Sequence, residues 1–419
     1  MSKTGESIYI KNFGGIEEAL IPLNDINIFI GPQASGKSVT AKLVYFFKTF
    51  WGLFYILRNK YPDFQSWEKE EFVSSFYKYF PSENWGELDF VIEYSISADY
   101  SIKITRNKVN KIKIEYPNDL VLKLSSTLEK ENDSNIFGTQ SKSDLLGYLK
   151  SIENISQNKI YYFQFYIPAV RTFFSTFQSS LFSILSQSNN SIDPFLTRFG
   201  AVYEKIVEKN EFYKLLKDEN TKPLFEKALN LLKIDDFVKK NRNIFYLKHK
   251  SNREVNLETA SSGQQAMFPL LLSLLSVFKE DLFPTNSKVM YIEEPEAHIF
   301  PETQKQLMEL LSIVFNRSKP DLQFIITTHS PYILTSFNNL IQAGAIEREI
   351  EDKEKLYNIV PQHQILQPNT VNAYEFRDGK VENLIDSETG FILAERLDTV
   401  SEDIAIQFDK LLDLKYSKL

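Results

Sequence analysis

The chain has 419 residues and is 43% hydrophobic, enough for two or three domains with sizeable cores. Its net charge of −7 gives no overall attraction to nucleic acid, so such a contact would need a local basic patch. Without cysteine, disulfides, thiolate zinc sites and cysteine nucleophiles are excluded, and a reducing cytoplasm is the expected location.

The first sixty residues predict three strands, a loop and a buried helix. The segments IYIKNF, EEALIPL and INIFI alternate or cluster apolar residues as short strands do. The apolar run from Tyr45 to Leu57 is interrupted by Lys48 and Gly52, and it is shorter than the roughly 20 residues that cross a bilayer. We therefore predict a buried helix there, and we expect neither a signal peptide nor a membrane partner.

The middle of the chain predicts an antiparallel meander followed by helices. From Asp89, DFVIEYSI, SIKITRN and KIKIEYP are apolar segments separated by short polar turns. Residues 117–158 predict helix around a polar loop, and the segment from Arg171 to Lys240 predicts mostly helix. Further strands are predicted in NIFYLKH and REVNLE.

After Ser262 the pattern alternates helix, strand, helix, strand and helix, which is typical of parallel α/β construction. The segment NAYEFRDGKVENL then predicts a hairpin with a tight turn at Asp378-Gly379. The segment ERLDTVSEDIAIQFDKLL predicts an amphipathic helix near the C-terminus.

The segment GPQASGKS fits the pattern G-x-x-x-x-G-K-[ST] and stands between a predicted strand and a predicted helix. Such a loop turns its backbone N–H groups toward the phosphates of ATP, and Gly36 lets the backbone come close. Lys37 would reach the β and γ oxygens, and the Ser38 hydroxyl would bind Mg²⁺. The predicted ATP-binding residues are Gly31, Pro32, Gln33, Ala34, Ser35, Gly36, Lys37, Ser38 and Val39.

Two further strands end in polar residues. VMYIEEPEAHIFP is an apolar strand ending in Glu293 and Glu294, where ligands of open α/β sheets bind. One carboxylate can serve Mg²⁺ while its neighbour orients or deprotonates water; the alternative is that both cap the helix at Pro301. FIITTHSPYIL brings His329 to the same edge, where its imidazole can hydrogen-bond a γ-phosphate; the alternative is a structural histidine.

The segment ETASSGQQ also has two interpretations. Its serines can cap the following helix, or they can form a surface for an anion at the helix N-terminus.

Taken in order, GPQASGKS, SSGQQ, YIEEPEAHIFP and TTHS resemble the ABC-type ATPase head of SMC and RecF proteins and of the OLD nuclease group. The similarity is strongest to stand-alone bacterial AAA-family ATPases such as those of the Septu and PARIS defence systems. It implies that the signature motif lies at Ala260–Gln264 and binds the γ-phosphate of a second subunit. The signature residues assigned to the nucleotide are Ser261, Ser262, Gly263 and Gln264.

The same resemblance implies a magnesium-side role for Glu293, a general-base role for Glu294 and a switch role for His329. Glu293 stands where the family usually has aspartate, and Phe300 replaces a usually acidic residue of the D-loop. Gln164 is the candidate glutamine-loop ligand of Mg²⁺. Arg171, in an I-P-x-x-R segment, is expected near the nucleotide.

The implied fold is α/β, an ABC-type P-loop NTPase head with a mixed sheet, an antiparallel β-meander and a helical insertion. We expect the ATPase core in residues 1–60 and 250–345. Residues 61–250 would carry the meander and a helical lid or arm, and 346–419 a C-terminal hairpin and helix. OLD proteins carry a nuclease after the ATPase, but the tail here has no spaced acidic cluster, so we expect cleavage by a separate protein.

The implied function is an ATP-hydrolysing switch that works as a homodimer, or a higher oligomer, and controls a separate nuclease or toxin. The alternatives are a RecF- or SMC-like DNA repair ATPase, and a scaffold that holds ATP as a structural ligand. A transporter ATPase is a weaker alternative. Basic residues form two clusters: Lys103, Arg106, Lys108, Lys111 and Lys113, and Lys239, Lys240, Arg242, Lys248, Lys250 and Arg253. The first cluster, on a predicted hairpin, could bind a nucleic-acid backbone or an acidic partner, and the alternative is a solvated sheet face.

Overall fold

In the computed structural model of the protein, a central mixed sheet is flanked by helices on one face and by a helix and an antiparallel sheet on the other. The helical prediction for 118–158 and the start of the predicted C-terminal helix lie outside the described residues. The structure describes residues 5–57, 60–61, 63–97, 100–106, 111–117, 163–177, 192–208, 221–240, 244–250, 253–278, 287–394 and 406–412.

The central sheet has six strands in the order β14-β13-β3-β12-β11-β7. All neighbours are parallel except β14, which pairs antiparallel with β13. The α/β class and mixed sheet are therefore confirmed. The strands are β3 (Ile26–Ile30), β7 (Phe163–Ile167), β11 (Lys288–Glu293), β12 (Leu322–Thr328), β13 (Val371–Arg377) and β14 (Lys380–Asn383).

The parallel strands are apolar on both sides because both faces of the sheet are covered. In β12, Phe324 and Ile326 belong to the core under the helices, whereas Ile325 belongs to the core on the other face. The helices of the first face are α4 (Thr172–Thr176), α5 (Pro194–Glu208), α6 (Lys222–Leu232), α7 (Ser262–Leu275), α8 (Pro301–Ser318) and α9 (Pro331–Glu347). The short helix α10 (Lys353–Tyr357) packs in a separate small cluster with Ala343 of α9.

The opposite face is covered by α1 (Lys37–Leu57), the apolar helix that the sequence predicts, and by a five-stranded antiparallel sheet. Phe46, Phe47 and Phe50 of α1 are at most 1% exposed. Each such side chain contributes about 1.5–3 kcal/mol of burial free energy, so the abundant aromatic residues fill a core. The antiparallel sheet has the order β2-β1-β4-β5-β6, with β1 (Ser7–Phe13), β2 (Ile16–Pro22), β4 (Val91–Ser97), β5 (Tyr100–Arg106) and β6 (Ile112–Glu115).

Short helices and a second antiparallel sheet complete the described fold. Helices α2 (Phe64–Trp67) and α3 (Ser74–Tyr79) flank a π-helical stretch and close the aromatic core. The second sheet has the order β10-β9-β8. Its strands are β8 (Asp236–Lys240), β9 (Ile244–Lys248) and β10 (Glu254–Asn256).

The structure changes the predicted organisation in two places and confirms the predicted hairpin. β8 is a strand where the sequence predicted helix, because it pairs with β9. β7 and β13 lie outside the blocks predicted for the ATPase core, yet both are strands of its central sheet. β13 and β14 form the predicted hairpin, with φ of 51° at Asp378 and 78° at Gly379, and β13 also pairs in parallel with β3.

No helix among the described residues is long and apolar enough to cross a membrane.

Candidate nucleotide site

The phosphate loop Gly31–Ser38 joins β3 to α1, as the sequence predicts. Lys37 opens the helix and is only 5% exposed. Its Nζ donates hydrogen bonds to the carbonyl oxygens of Gly31 at 2.8 Å and Pro32 at 2.6 Å. The ammonium group is therefore held against the loop, at the carboxyl edge of the central sheet.

Gly36 has a left-handed backbone, with φ of +101°. A Cβ there would lie 2.8 Å from the Ile16 side chain and 3.0 Å from the carbonyl oxygen of Gly14. The predicted reason for this glycine was close approach to phosphate. The structure adds a reason from packing, because the turn between β1 and β2 is pressed against the phosphate loop.

Glu293 ends β11 and turns inward, with 9% exposure. Its carboxylate accepts hydrogen bonds from the Tyr166 hydroxyl at 2.6 Å and from the Ala169 N–H at 3.2 Å. Burial, together with the neighbouring carboxylate, raises the pKa of Tyr166 well above its usual range, so the phenol stays protonated as a donor. Sequence reasoning missed both donors, since their only signal was the position of β7 beside β11.

Glu294 turns outward from the same strand end. Its φ of 44° is unusual for a residue with a side chain, and its N–H donates to the carbonyl oxygen of Thr327 at 2.8 Å. The carboxylate oxygen lies 3.3 Å from Nε2 of His329, and both side chains are partly exposed. The two predicted residues therefore meet, with the exposed glutamate beside the imidazole.

Glu296 is a third carboxylate that sequence reasoning did not assign. One of its oxygens accepts from the Thr328 hydroxyl at 2.7 Å and from the His329 N–H at 2.6 Å. This side chain fixes the backbone that carries His329. The available signal was the repeated glutamate in EEPE.

Lys37 lies within electrostatic reach of two of these carboxylates. Burial lowers the pKa of Lys37, and the charges of Glu294 and Glu296 oppose that shift. Because β3, β12 and β11 are neighbouring parallel strands, the phosphate loop and residues 293–296, here called the carboxylate turn, lie at the same edge of the sheet.

Ser261 is the N-cap of α7 and forms a capping box with Gln264. Its hydroxyl accepts from the Gln264 N–H at 3.3 Å, while the Gln264 amide donates to the Leu232 carbonyl at the end of α6, at 2.9 Å. Ser261 and Ser262 are exposed and Gly263 is partly buried. The helix-cap interpretation is confirmed, and the phosphate-binding interpretation stays a prediction because it needs a second chain.

The structure places Arg171 and Gln164 differently from their predicted roles. Arg171 is 0% exposed and donates to backbone carbonyls, so it lies behind the carboxylate turn rather than facing a nucleotide.

Gln164 lies within β7. Its side-chain amide donates to the Thr49 hydroxyl at 2.9 Å and accepts from the Tyr291 hydroxyl at 2.7 Å. It pairs with Val289, well before the end of β11, and is not brought to Glu293.

The remaining donors fit Mg²⁺ chemically. A serine hydroxyl at residue 38 and the Glu293 carboxylate are the hard oxygen ligands that Mg²⁺ prefers. In the described part of the chain, no group of three or more His, Asp or Glu side chains is arranged to hold a metal by itself. Since Mg²⁺ commonly takes one or two carboxylates together with substrate phosphates, a nucleotide would have to complete the site.

The basic clusters are partly neutralised. Lys113 pairs with Glu115 at 2.8 Å, and Lys103 stands beside Glu93 and Glu115 in the sheet. In the second cluster Lys240 pairs with Glu254 and Lys239 bonds a backbone carbonyl. Lys108 and Arg242 lie outside the described residues. These contacts favour the interpretation as a solvated surface.

A family model described as "AAA domain, putative AbiEii toxin, Type IV TA system" matches residues 26–335. A curated relative, the Retron Vc95 probable ATPase of Vibrio cholerae serotype O1 biovar El Tor, is 22% identical over 277 residues. That alignment covers 63% of this chain and 49% of the relative, so the chain spans about half the relative's length.

Solved SMC head domains are also similar. The SMC head bound to the C-winged helix domain of ScpA has a TM-score of 0.43 at 13% identity, covering 91% of this chain and 97% of that chain. The SMC head domain from Thermotoga maritima has a TM-score of 0.36 at 12% identity, covering 91% and 98%. Both scores are below 0.5, and the fold rests on the strand order given above.

Proposed function

The chain belongs to the family of AAA domains described as putative AbiEii toxins of type IV toxin–antitoxin systems, and we propose that it is a cytoplasmic, ATP-hydrolysing dimeric switch. The observation that carries the proposal is the meeting of the phosphate loop, the two glutamates and His329 at one edge of the sheet.

Each residue has a distinct task in this proposal. Lys37 and the loop N–H groups bind the phosphates, and Glu294 orients and deprotonates the attacking water. His329, 3.3 Å from Glu294, hydrogen-bonds the γ-phosphate and so distinguishes ATP from ADP. Ser38 and Glu293 would hold Mg²⁺, which would neutralise phosphate charge.

The second half of the site comes from another copy of the chain. The exposed Ser261 and Ser262 begin α7, so the hydroxyls, free N–H groups and dipole of this helix end suit a γ-phosphate. Phe300, at the predicted D-loop, is 80% exposed on the same edge and offers an apolar contact. A γ-phosphate bound by residues of both copies stabilises the dimer relative to the monomer.

The physiological role in the proposal is control of a separate nuclease or toxin in phage defence. It is supported by the toxin–antitoxin description of the family and by the retron origin of the relative. In this proposal the chain is the switch and a separate protein is the effector.

Substitution Glu294→Gln tests the function. It removes the proton acceptor but keeps the side-chain shape, so turnover should fall about 10²–10⁴-fold. ATP should still bind, and ATP-bound dimers should accumulate in analytical ultracentrifugation. Unchanged phosphate release would refute the assigned base. ATP binding with no turnover in the wild type would favour the scaffold alternative, and turnover stimulated by DNA would favour the repair alternative.

A further inference from the structure

Arg171 joins two segments that act in different halves of the proposed site. Its Nε donates to the carbonyl oxygen of Ala266 in α7 at 2.9 Å. Its two terminal nitrogens donate to the carbonyl oxygens of Glu293 at 2.8 Å and Glu294 at 3.0 Å. One guanidinium therefore connects the helix that begins at the signature motif with the turn that carries the two carboxylates.

The remaining guanidinium hydrogens face the carbonyl oxygens of Pro168 at 3.4 Å and Pro295 at 3.5 Å. An arginine has five N–H donors, so each one meets a backbone carbonyl and none is left for a phosphate. Ser175, one helical turn further on, donates to the Gln265 carbonyl at 2.7 Å. Arg171 and Ser175 therefore bind two successive backbone carbonyls of α7, those of Ala266 and Gln265.

The burial of this charge shows that the connection is tight. Arg171 is 0% exposed, and burial lowers its pKa to about 10, opposed by the charges of Glu296, Glu294 and Glu293. The arginine stays charged at neutral pH. Moving α7 away from the turn would leave N–H groups of this buried charge without their carbonyl acceptors, so such a displacement is unfavourable.

A second contact joins the same two segments. A Cβ on Gly263 would lie 2.8 Å from the carbonyl oxygen of His298, which follows the carboxylate turn. The first turn of α7 is therefore packed directly against His298 and Ile299, which follow that turn in the chain. Any movement at Ser261 must be accommodated by that turn, since packed elements do not deform continuously.

We propose that Arg171 is a positioning residue that couples the start of α7 to Glu294 in the same chain. When Ser261 binds the phosphate of one nucleotide, α7 takes a new position. The guanidinium then shifts the backbone of Glu294, whose carboxylate acts on the other nucleotide. The two ATP sites of a dimer are thereby linked through each protomer. This inference rests on the proposed dimeric function.

The test compares Arg171→Lys with the control Arg198→Lys in the full chain. Lysine keeps the charge but cannot span from Ala266 to Glu294, because its three donors lie on one atom. Arg198 is half-buried and donates to the Tyr45 hydroxyl at 2.9 Å, with its guanidinium over Tyr79, and it contacts neither α7 nor the carboxylate turn.

Three measurements separate coupling from folding. They are ATP affinity of dilute protein, ATP-dependent dimerisation in the Glu294→Gln background, and turnover per chain as protein concentration rises. Wild type and Arg198→Lys should both show turnover that rises as dimers form. Arg171→Lys should bind ATP within about twofold and still dimerise, yet its turnover in the dimer should be about 10–100-fold lower, as misplaced catalytic groups produce.

Several results would overturn the coupling. Full turnover in Arg171→Lys would show that charge alone is required. An ATP affinity at least tenfold weaker would make Arg171 a nucleotide ligand, and equal losses in melting temperature, binding and turnover would make it structural only. The failure of the proposed function has its own signature: the Glu294→Gln protein would then form no ATP-dependent dimer even with Arg171 intact, and the coupling would fall with it.

Discussion

The two halves of the proposed nucleotide site are built in opposite ways. Lys37 and Glu293 are 5% and 9% exposed, and hydrogen bonds within the chain hold each of them in place. Ser261 and Ser262 are exposed at the start of a helix, and Ser261 is hydrogen-bonded to Gln264 of the same helix. The first half is fixed by the fold of one chain, whereas the second presents its polar groups outward. Binding of ATP and assembly of the dimer should therefore be separable by mutation.

The largest expected effect is on binding, through Lys37→Ala. Loss of an ammonium group that contacts phosphate removes about 3 kcal/mol, or roughly 100-fold in affinity. Isothermal titration calorimetry on dilute protein would measure it before any dimer forms. Lys42→Ala is the matched control, because Lys42 lies further along α1 and pairs with Asp193 at 2.9 Å. Equal ATP affinities for the two variants would contradict the assignment of the first half.

The first half of the site could be predicted from sequence because its residues lie in local patterns. A strand, a glycine-containing loop and a helix specify the position of Lys37 by themselves, and buried strands specify where Glu294 and His329 emerge. The predicted family resemblance is confirmed by the match over residues 26–335. The meeting of Glu294 with His329 followed from parallel strands ending at one edge.

The contacts that support this half could not be predicted in the same way. Tyr166 donates to Glu293 only because β7 pairs with β11 across 127 residues of sequence, and no local pattern encodes that pairing. Arg171 was expected near the nucleotide because its I-P-x-x-R segment resembles one in the stand-alone ATPases. The fold instead surrounds it with carbonyl oxygens, and its hydrogen bonds to them offset the cost of burial.

A change at Ser261 should affect assembly and spare binding. Ser261→Asp keeps a good N-cap for α7, so melting temperature and ATP affinity of the monomer should stay unchanged. The added carboxylate would face the phosphate of the second copy, where like charges repel. We expect ATP-dependent dimerisation, measured in the Glu294→Gln background by ultracentrifugation, to weaken at least about tenfold, since repulsion of 1.4 kcal/mol suffices for that.

Ser261→Ala is the matched variant, because it removes the cap without adding charge. It should lower stability by about 1 kcal/mol and weaken the dimer less than aspartate does. If Ser261→Asp dimerises as well as wild type, the exposed half is not a phosphate site and the comparison between the halves fails.

The smallest expected effect is on the contacts that hold the start of α7, where the exposed Ser261 and Ser262 lie. Gln264 anchors the start of α7 to the end of α6, and α6 is tied to α8 by Lys227, which pairs with Glu309 at 2.9 Å. Burial by itself would raise the pKa of Glu309, but hydrogen bonds from Lys305 and Lys227 lower it below 4.5.

A lowered carboxyl pKa adds stability above the unfolded-state value of 4.5, and this stability is lost as pH falls through the lower folded-state value. Glu309→Gln should therefore reduce the free energy of unfolding by about 1 kcal/mol or less at pH 7. Urea titrations should show this difference shrinking toward zero as pH drops below 4.5. Glu254→Gln, at a more exposed pair with Lys240, is the control; it should show a smaller change with the same pH dependence, because solvent screens that pair more strongly. A Glu309 difference that persists in acid would mean that its carboxylate charge does not support α6.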